Sequence, residues 1–250
     1  MRGRTAMALW DNPDVELLYD INGLAKDAPT WADRTMEYVG EYGIAVGLVA
    51  LALWAWWGVT RKRESREEAL AGFAGLVWAP LAALVALAVN IPIRGFVERP
   101  RPFLEHKGVD VLVQGKTDFS FVSDHATLTM AIAVGIFMVQ RKPGLVAIAL
   151  AVLEGFCRVY MGVHYPTDVV GGLALGTAVA LLLAPVAMWA LTPLVGLVAG
   201  NARIETLLWA GATPAGRDGG NGPEAGGDGR PAGHREGTAA RRTSDRDLAA

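Results

Sequence analysis

Two histidines and three arginines carry most of the chemical potential of this chain. His164 is followed four residues later by Asp168. An aspartate that accepts a hydrogen bond from one ring nitrogen fixes the imidazole tautomer and leaves the other nitrogen free to attack. A second histidine, His125, stands directly after Ser123 and Asp124 and is placed to protonate a leaving oxygen. Arg94, Arg101 and Arg158 bring planar forks that meet phosphate oxygens in pairs. Such groups stabilise the charge of a phosphoryl group in its transition state. Ser123, Asp124 and His125 also open an apolar stretch; as the start of a helix they would present unpaired backbone N–H groups to an anion. Singly, each feature has a plainer reading: a headgroup contact for an arginine, a hydrogen-bonded interfacial residue for a histidine. Together they point to phosphoryl chemistry.

These residues need elements that bring them to one place. The chain has 250 residues, 52% hydrophobic and 19% charged, with a formal net charge of −2. Its apolar residues fall in blocks of about twenty, long enough to cross roughly 30 Å of hydrocarbon as a helix. That excludes a soluble domain with one core. The single cysteine, Cys157, cannot form an internal disulfide, and the near-zero charge gives no basic field for nucleic acid. Five apolar stretches predict five transmembrane helices, at about Val39 to Thr60, Leu70 to Ile93, Ser123 to Gln140, Leu145 to Tyr160 and Asp168 to Leu194. Trp54, Trp56 and Trp57 fit an interfacial aromatic belt. Before the first stretch, Leu17, Leu18, Ile21 and Leu24 recur at helical spacing among Asp14, Glu16 and Asp20. This predicts an amphipathic helix lying on the membrane or packed on the bundle. The expected fold is all-α, a polytopic membrane bundle of five spans plus an N-terminal amphipathic helix.

Residues 1–38 then form the interfacial segment, 39–200 the transmembrane domain and 201–250 a cytoplasmic tail. From about residue 211 the tail is rich in Gly, Pro and Ala and is expected to be disordered, because it buries too little surface to offset ordering entropy. Loop charges set the orientation. Arg61, Lys62, Arg63 and Arg66 follow the first stretch, and Arg141 and Lys142 follow the third. Basic loops favour the cytoplasm, and alternating spans put both loops on that side. The loop from Arg94 to Ser120 then lies outside, although it holds Arg94, Arg99, Arg101, Lys107 and Lys116. Alternation brings Asp124, His125, Arg158, His164 and Asp168 to that same face. Ionisable groups at such a boundary are expensive and usually functional. Glu154, one turn before Arg158, is expected to pair with it. Glu98 is a candidate to orient Arg94 or Arg101, or equally a solvated loop charge, and His106 lies outside the constellation.

The pattern resembles a known family. Arg94, six residues, then Arg101-Pro102 is similar to the first motif of the type-2 phosphatidic acid phosphatase superfamily. Phe121-Val122-Ser123-Asp124-His125 resembles its second motif, and Cys157-Arg158, five residues, His164, three residues, Asp168 resembles its third. The resemblance covers roughly residues 15 to 195. Arg94 replaces the usual lysine, Val122 the usual proline, Asp124 the usual glycine and Cys157 the usual serine. A thiol is a weaker donor than a hydroxyl, and Cys157 reads as a small buried residue. The run Ser123-Asp124-His125-Ala126-Thr127 and the run Arg99-Pro100-Arg101-Pro102-Phe103 look like the bacitracin-resistance branch, the undecaprenyl-diphosphate phosphatases.

The resemblance implies roles. His164 would be the nucleophile that forms a phosphohistidine, Asp168 its partner and His125 the general acid. Arg94, Arg101, Ser123 and Arg158 would hold the phosphate, with backbone N–H groups near Asp124 helping. No metal and no cofactor are implied. The implied partners are a lipid phosphate and the bilayer, without nucleic acid. The expected activity is hydrolysis of undecaprenyl diphosphate, or a similar polyprenyl diphosphate, to the monophosphate for cell-wall carrier recycling. The expected place is the outer face of a bacterial cytoplasmic membrane. Alternatives are the same chemistry on another lipid, such as phosphatidic acid or phosphatidylglycerol phosphate, and a non-catalytic lipid-binding or transport protein on the same fold.

Overall fold

A computed structural model describes residues 12–62, 65–113 and 115–200. The tail expected at 201–250 lies outside the described residues. The described chain is helical: α1 Pro13–Lys26, α2 Thr30–Tyr38, a π turn Val39–Gly43, α3 Ile44–Lys62, α4 Arg66–Val97, a short α5 Pro102–Glu105, α6 Asp124–Val139, α7 Arg141–Tyr160, α8 Pro166–Leu182 and α9 Ala184–Ala199.

Local chemistry explains several boundaries. Asn12 caps α1 by accepting from the Asp14 N–H at 3.3 Å, with Pro13 in the first turn. Ser65 caps α4, accepting from the Glu68 N–H at 3.2 Å. Glu98 ends that helix in the left-handed conformation, φ 48°. The fifth predicted span is not one helix. It breaks at Leu183, and α8 and α9 meet at a 53° bend. Pro185 stands in the first turn of α9; it lacks an N–H and its ring collides with the preceding turn.

Many small residues face inward, and a large set of bulky apolar ones faces outward. Ala79, Ala82, Ala83 and Ala86 of α4 are buried, as are Ala126, Ala131 and Ala133 of α6. Ile91, Phe96, Leu182, Trp189 and Leu197 project away from the bundle. That distribution suits hydrocarbon as the solvent: helices associate through close packing of small residues, since lipid exerts no hydrophobic force on leucine. A Cβ at Gly135 would come within 2.5 Å of Ala79 Cβ, so α4 and α6 touch nearly backbone to backbone. Three helical stretches are long and apolar enough to cross a membrane, Thr30–Arg61, the one beginning at Arg66, and Arg141–Tyr160; the bent α8–α9 pair makes a fourth. α6, with 16 residues, is shorter. The protein is a multi-pass membrane protein.

The N-terminal helix packs on the bundle. α1 rests against α7 and α8 and buries Leu18, Asn22 and Ala25, while Leu17 and Leu24 face outward. Of the four apolar residues at helical spacing, Leu18 and Ile21 pack inward and Leu17 and Leu24 do not. Asn22 decides it. Its amide donates to the carbonyls of Asp110 and Tyr160, both at 2.8 Å, and its oxygen accepts from the Asp110 N–H at 2.8 Å. A buried amide with all these partners fixes the rotation of α1 more specifically than apolar contact does.

Candidate active site

The chain reversals at one end of the bundle bring the predicted residues together. Arg94 lies in the last turn of α4, one turn after Asn90. Asn90 is buried, and its amide donates to the Val122 carbonyl at 3.0 Å and to Asp124 Oδ1 at 2.7 Å. It thereby ties α4 to the start of α6. Arg94 reaches Asp124 Oδ1 at 2.5 Å through Nη2 and Asp118 Oδ2 at 2.8 Å through Nη1. Its buried Nε has no hydrogen-bond partner. The carboxylates on Arg94 are thus Asp118 and Asp124, and the expected role of Glu98 falls to them; Glu98 is exposed and occupied in capping α4.

Arg101, held in extended backbone before Pro102, is almost wholly buried. It donates through Nε to the Asp118 carbonyl at 3.0 Å, through Nη2 to Asp118 Oδ1 at 2.7 Å and through Nη1 to the Val163 carbonyl at 2.8 Å. Nη1 also lies 3.4 Å from His164 Nε2. Asp118 thus bridges the two arginines of the first motif. Burial alone would raise its carboxyl, but the Arg101 hydrogen bond and the Arg101 and Arg94 charges outweigh that and hold it below its ordinary value of 3.8.

His164 sits in the turn between α7 and α8, with 4% exposure. Gly162 makes this turn at φ 71°, a conformation that favours glycine. His164 Nδ1 lies 2.9 Å from the Ser120 carbonyl and 3.7 Å from Asp168 Oδ2. A carbonyl oxygen only accepts, so this contact places the proton on Nδ1 and leaves Nε2 with its lone pair beside Arg101. The expected hydrogen bond to Asp168 is therefore made to Ser120 instead, and Asp168 acts on His164 through its charge. Burial pushes the His164 pKa below its ordinary 6.5, and the charges of Arg101 and Arg158 push the same way against Asp168. The neutral form therefore persists below the pH at which a free histidine protonates.

Asp168 is fully buried in the first turn of α8. Its Oδ2 accepts from the Tyr165 N–H at 2.9 Å and its Oδ1 from Arg99 Nη1 at 2.8 Å. Ser123 caps α6, and its own N–H donates to the Asp168 carbonyl at 3.1 Å, so the second and third motifs are joined by main chain. The helices follow closely: a Cβ at Gly172 would meet the Ser123 carbonyl at 2.7 Å. His125 is in the first turn of α6, within electrostatic reach of His164 and Arg158.

Arg158 occupies a different environment. It is fully buried, donating to Glu154 Oε1 at 2.7 Å, Glu41 Oε1 at 2.6 Å and the Gly40 carbonyl at 2.5 Å. The predicted Glu154 pair is present. Cys157 is buried beside Gly40, where an added Cβ would lie 3.0 Å from the cysteine Cβ. His106 serves packing, set edge-on between Tyr19 and Tyr165. Among the described residues no group of three or more His, Cys, Asp or Glu is gathered to hold a metal ion.

Sequence reasoning missed Asn90 and Asp118, and it gave Arg99 no role at Asp168. A signal existed for Asn90, an amide four residues before Arg94 inside an apolar helix. Asp118 carried none, since an acid in a polar loop is ordinarily solvated.

Three motifs in order, converging on His164 at one end of an all-helical bundle, match one family pattern. The chain belongs to the PAP2 superfamily. The superfamily pattern matches residues 75–191. The undecaprenyl-diphosphatase BcrC of Bacillus subtilis is 32% identical over 67% of this chain and 80% of its own length. The decaprenylphosphoryl-5-phosphoribose phosphatase of Mycobacterium tuberculosis is 35% identical over 58% of this chain and 73% of its own. The solved structure of Aquifex aeolicus LpxE superposes with a TM-score of 0.53 at 20% identity, covering 70% of this chain and 97% of that one. That likeness shows the fold.

Proposed function

We propose that this PAP2 member is a polyprenyl-diphosphate phosphatase that releases the terminal phosphate of undecaprenyl diphosphate or a similar carrier. The observation that carries the reading is His164, with its proton directed to Ser120 and Nε2 facing Arg101. In the reaction, Nε2 attacks the terminal phosphorus and the bridging P–O bond breaks. The departing monophosphate oxygen takes a proton from His125. Water then attacks the phosphohistidine, giving up its proton to His125, and inorganic phosphate leaves. Arg94, Arg101 and Arg158 supply positive charge around the transferring group, and the Ser123 hydroxyl and the N–H groups at the start of α6 donate hydrogen bonds to it. Asp168 holds the electrostatic setting of His164, and Asp124 steadies Arg94.

An apolar cleft supports a lipid substrate. It has a volume of about 800 Å³ and is lined by α3, α4 and α6, including Trp56, Pro80, Leu128 and Ile132. Leu128 and Ile132 lie three and seven residues after His125, on the same stripe of α6. Similarity to the B. subtilis undecaprenyl-diphosphatase favours a diphosphate; similarity to the M. tuberculosis enzyme favours, as a second reading, a polyprenyl-linked sugar phosphate. In this proposal the helices make five spans, with α6 as the third, in a bacterial cytoplasmic membrane, and the site opens on the outer face.

The test is phosphate release by the purified full-length protein from undecaprenyl diphosphate, with chelator present, beside the monophosphate and phosphatidic acid. His164→Ala should abolish release. Full activity in that variant, or inhibition by chelator, would overturn the mechanism.

A further inference from the structure

Asp14 belongs to α1, far from the three motifs in sequence, yet its side chain is only 9% exposed and makes three hydrogen bonds at the site's edge. Its Oδ1 accepts from the Thr167 N–H at 2.8 Å. Its Oδ2 accepts from the Thr167 hydroxyl at 2.6 Å and from Arg99 Nη2 at 2.6 Å. Thr167 is in the first turn of α8, immediately before Asp168. Asp14 thus places a negative charge on the opening turn of that helix, where orphan N–H groups and the dipole welcome one.

Arg99 carries the connection inward. Nη1 donates to Asp168 Oδ1 and to the Thr167 hydroxyl, both at 2.8 Å. The guanidinium lies over the Tyr165 ring, 3.6 Å from its centroid. The backbone of the same residue reaches the other partner of His164, since the Arg99 carbonyl accepts from the Ser120 N–H at 2.8 Å. Ser120 in turn offers its carbonyl to His164 Nδ1. Arg99 therefore holds both groups that set the nucleophile, one with its side chain and one with its main chain, and Asp14 fixes the far side of its fork. The docking of α1 through Asn22 keeps Asp14 in place.

We propose that Asp14 is a positioning residue of the reaction: through Arg99 and Thr167 it aims Asp168 and so sets the orientation and basicity of His164. The amphipathic helix is on this account part of the catalytic apparatus. The inference rests on the phosphohistidine reading.

Its test is the pH dependence of kcat and KM for phosphate release by full-length protein in detergent. The ionisable groups facing His164 are Asp168 from α8, Arg101 before α5, Arg158 from α7 and His125 from α6, with Asp118 on Arg101. Asp14→Asn keeps the shape and removes one negative charge. It should lower kcat roughly ten- to a hundredfold with little change in KM, and move the acid limb to lower pH, because a more positive surrounding disfavours the imidazolium. Arg99→Gln should move that limb to higher pH, since Asp168 loses its cation and favours the imidazolium. Asp14→Glu should recover part of kcat. Thr167→Val, which changes no charge, should lower kcat without moving the limb, and serves if Asp14→Asn folds poorly. Wild-type kcat and limb in Asp14→Asn and in Thr167→Val would overturn the inference, as would shifts of the same sign in Asp14→Asn and Arg99→Gln. An inactive wild type would instead overturn the phosphatase reading beneath it.

Discussion

Two groups of arginines with the same expected role have been given different partners. Arg94 and Arg101 share Asp118, whose side chain is 44% exposed. Arg158 is paired with Glu154, 1% exposed, and with the partly covered Glu41. An aspartate at the surface regains water when it lets go of an arginine, so an arriving phosphate can take its place at small net cost. Glu154 has no water to return to, and separating it from Arg158 strands a charge in a dry interior. In the proposed reaction the first pair is therefore a set of exchangeable cations. The second is a fixed charge that ties α7 to the π turn while adding positive potential near His164. Three of its five N–H groups are committed. What separates the two groups is thus the exposure of the carboxylate partner.

The contrast is open to direct test. Arg101→Gln should reduce kcat/KM on a lipid diphosphate by roughly a hundred- to a thousandfold, with stability changed less than in Glu154→Leu. Next in size, Glu154→Leu should lower stability by about 1.5–3 kcal/mol, read from thermal unfolding in detergent, because Arg158 loses a buried charge-assisted hydrogen bond while keeping Glu41. A cost below that of Asp118→Asn would erase the distinction. The smallest effect belongs to Asp118→Asn. An exposed ion pair is worth about 0.2–1 kcal/mol, so inhibition by inorganic phosphate or vanadate should tighten by up to about fivefold as the competing carboxylate is lost. The variant-to-wild-type ratio should stay flat from about pH 5 to 8, because Asp118, held below 3.8 by Arg101, remains ionised throughout. A ratio that moved with pH in this window would mean that another group titrates against the arginines.

The second and third motifs were legible because they are short-range patterns. His164 and Asp168 lie four residues apart, and Ser123 to His125 are contiguous at a helix start. The Glu154–Arg158 pair was legible for the same reason. The bend at Leu183 could also have been read, since Pro185 interrupts the fifth apolar stretch. Other partners lie far away in the chain. Asp118 is 24 residues from Arg94, Asp168 is 69 from Arg99, and Asp14 is 85 from Arg99. No periodicity links such pairs. The apolar stripe of α1 was legible in part: Leu18 and Ile21 pack inward, whereas buried Asn22 leaves Leu17 and Leu24 outward.

Hydropathy marked a helical membrane protein, and the resemblance carried by three short motifs implied a phosphatase family. Hydropathy and short-range spacing act within one helix, and that is all they require. Folding was needed to assign partners: the Ser120 carbonyl for the His164 proton, an exposed carboxylate for Arg101, a buried and a half-buried one for Arg158, and an outlying helix for Arg99. Hydrogen bonds and ion pairs form only within about 3 to 4 Å. Which groups come that close depends on how the helices cross, and no stretch of sequence contains that information by itself.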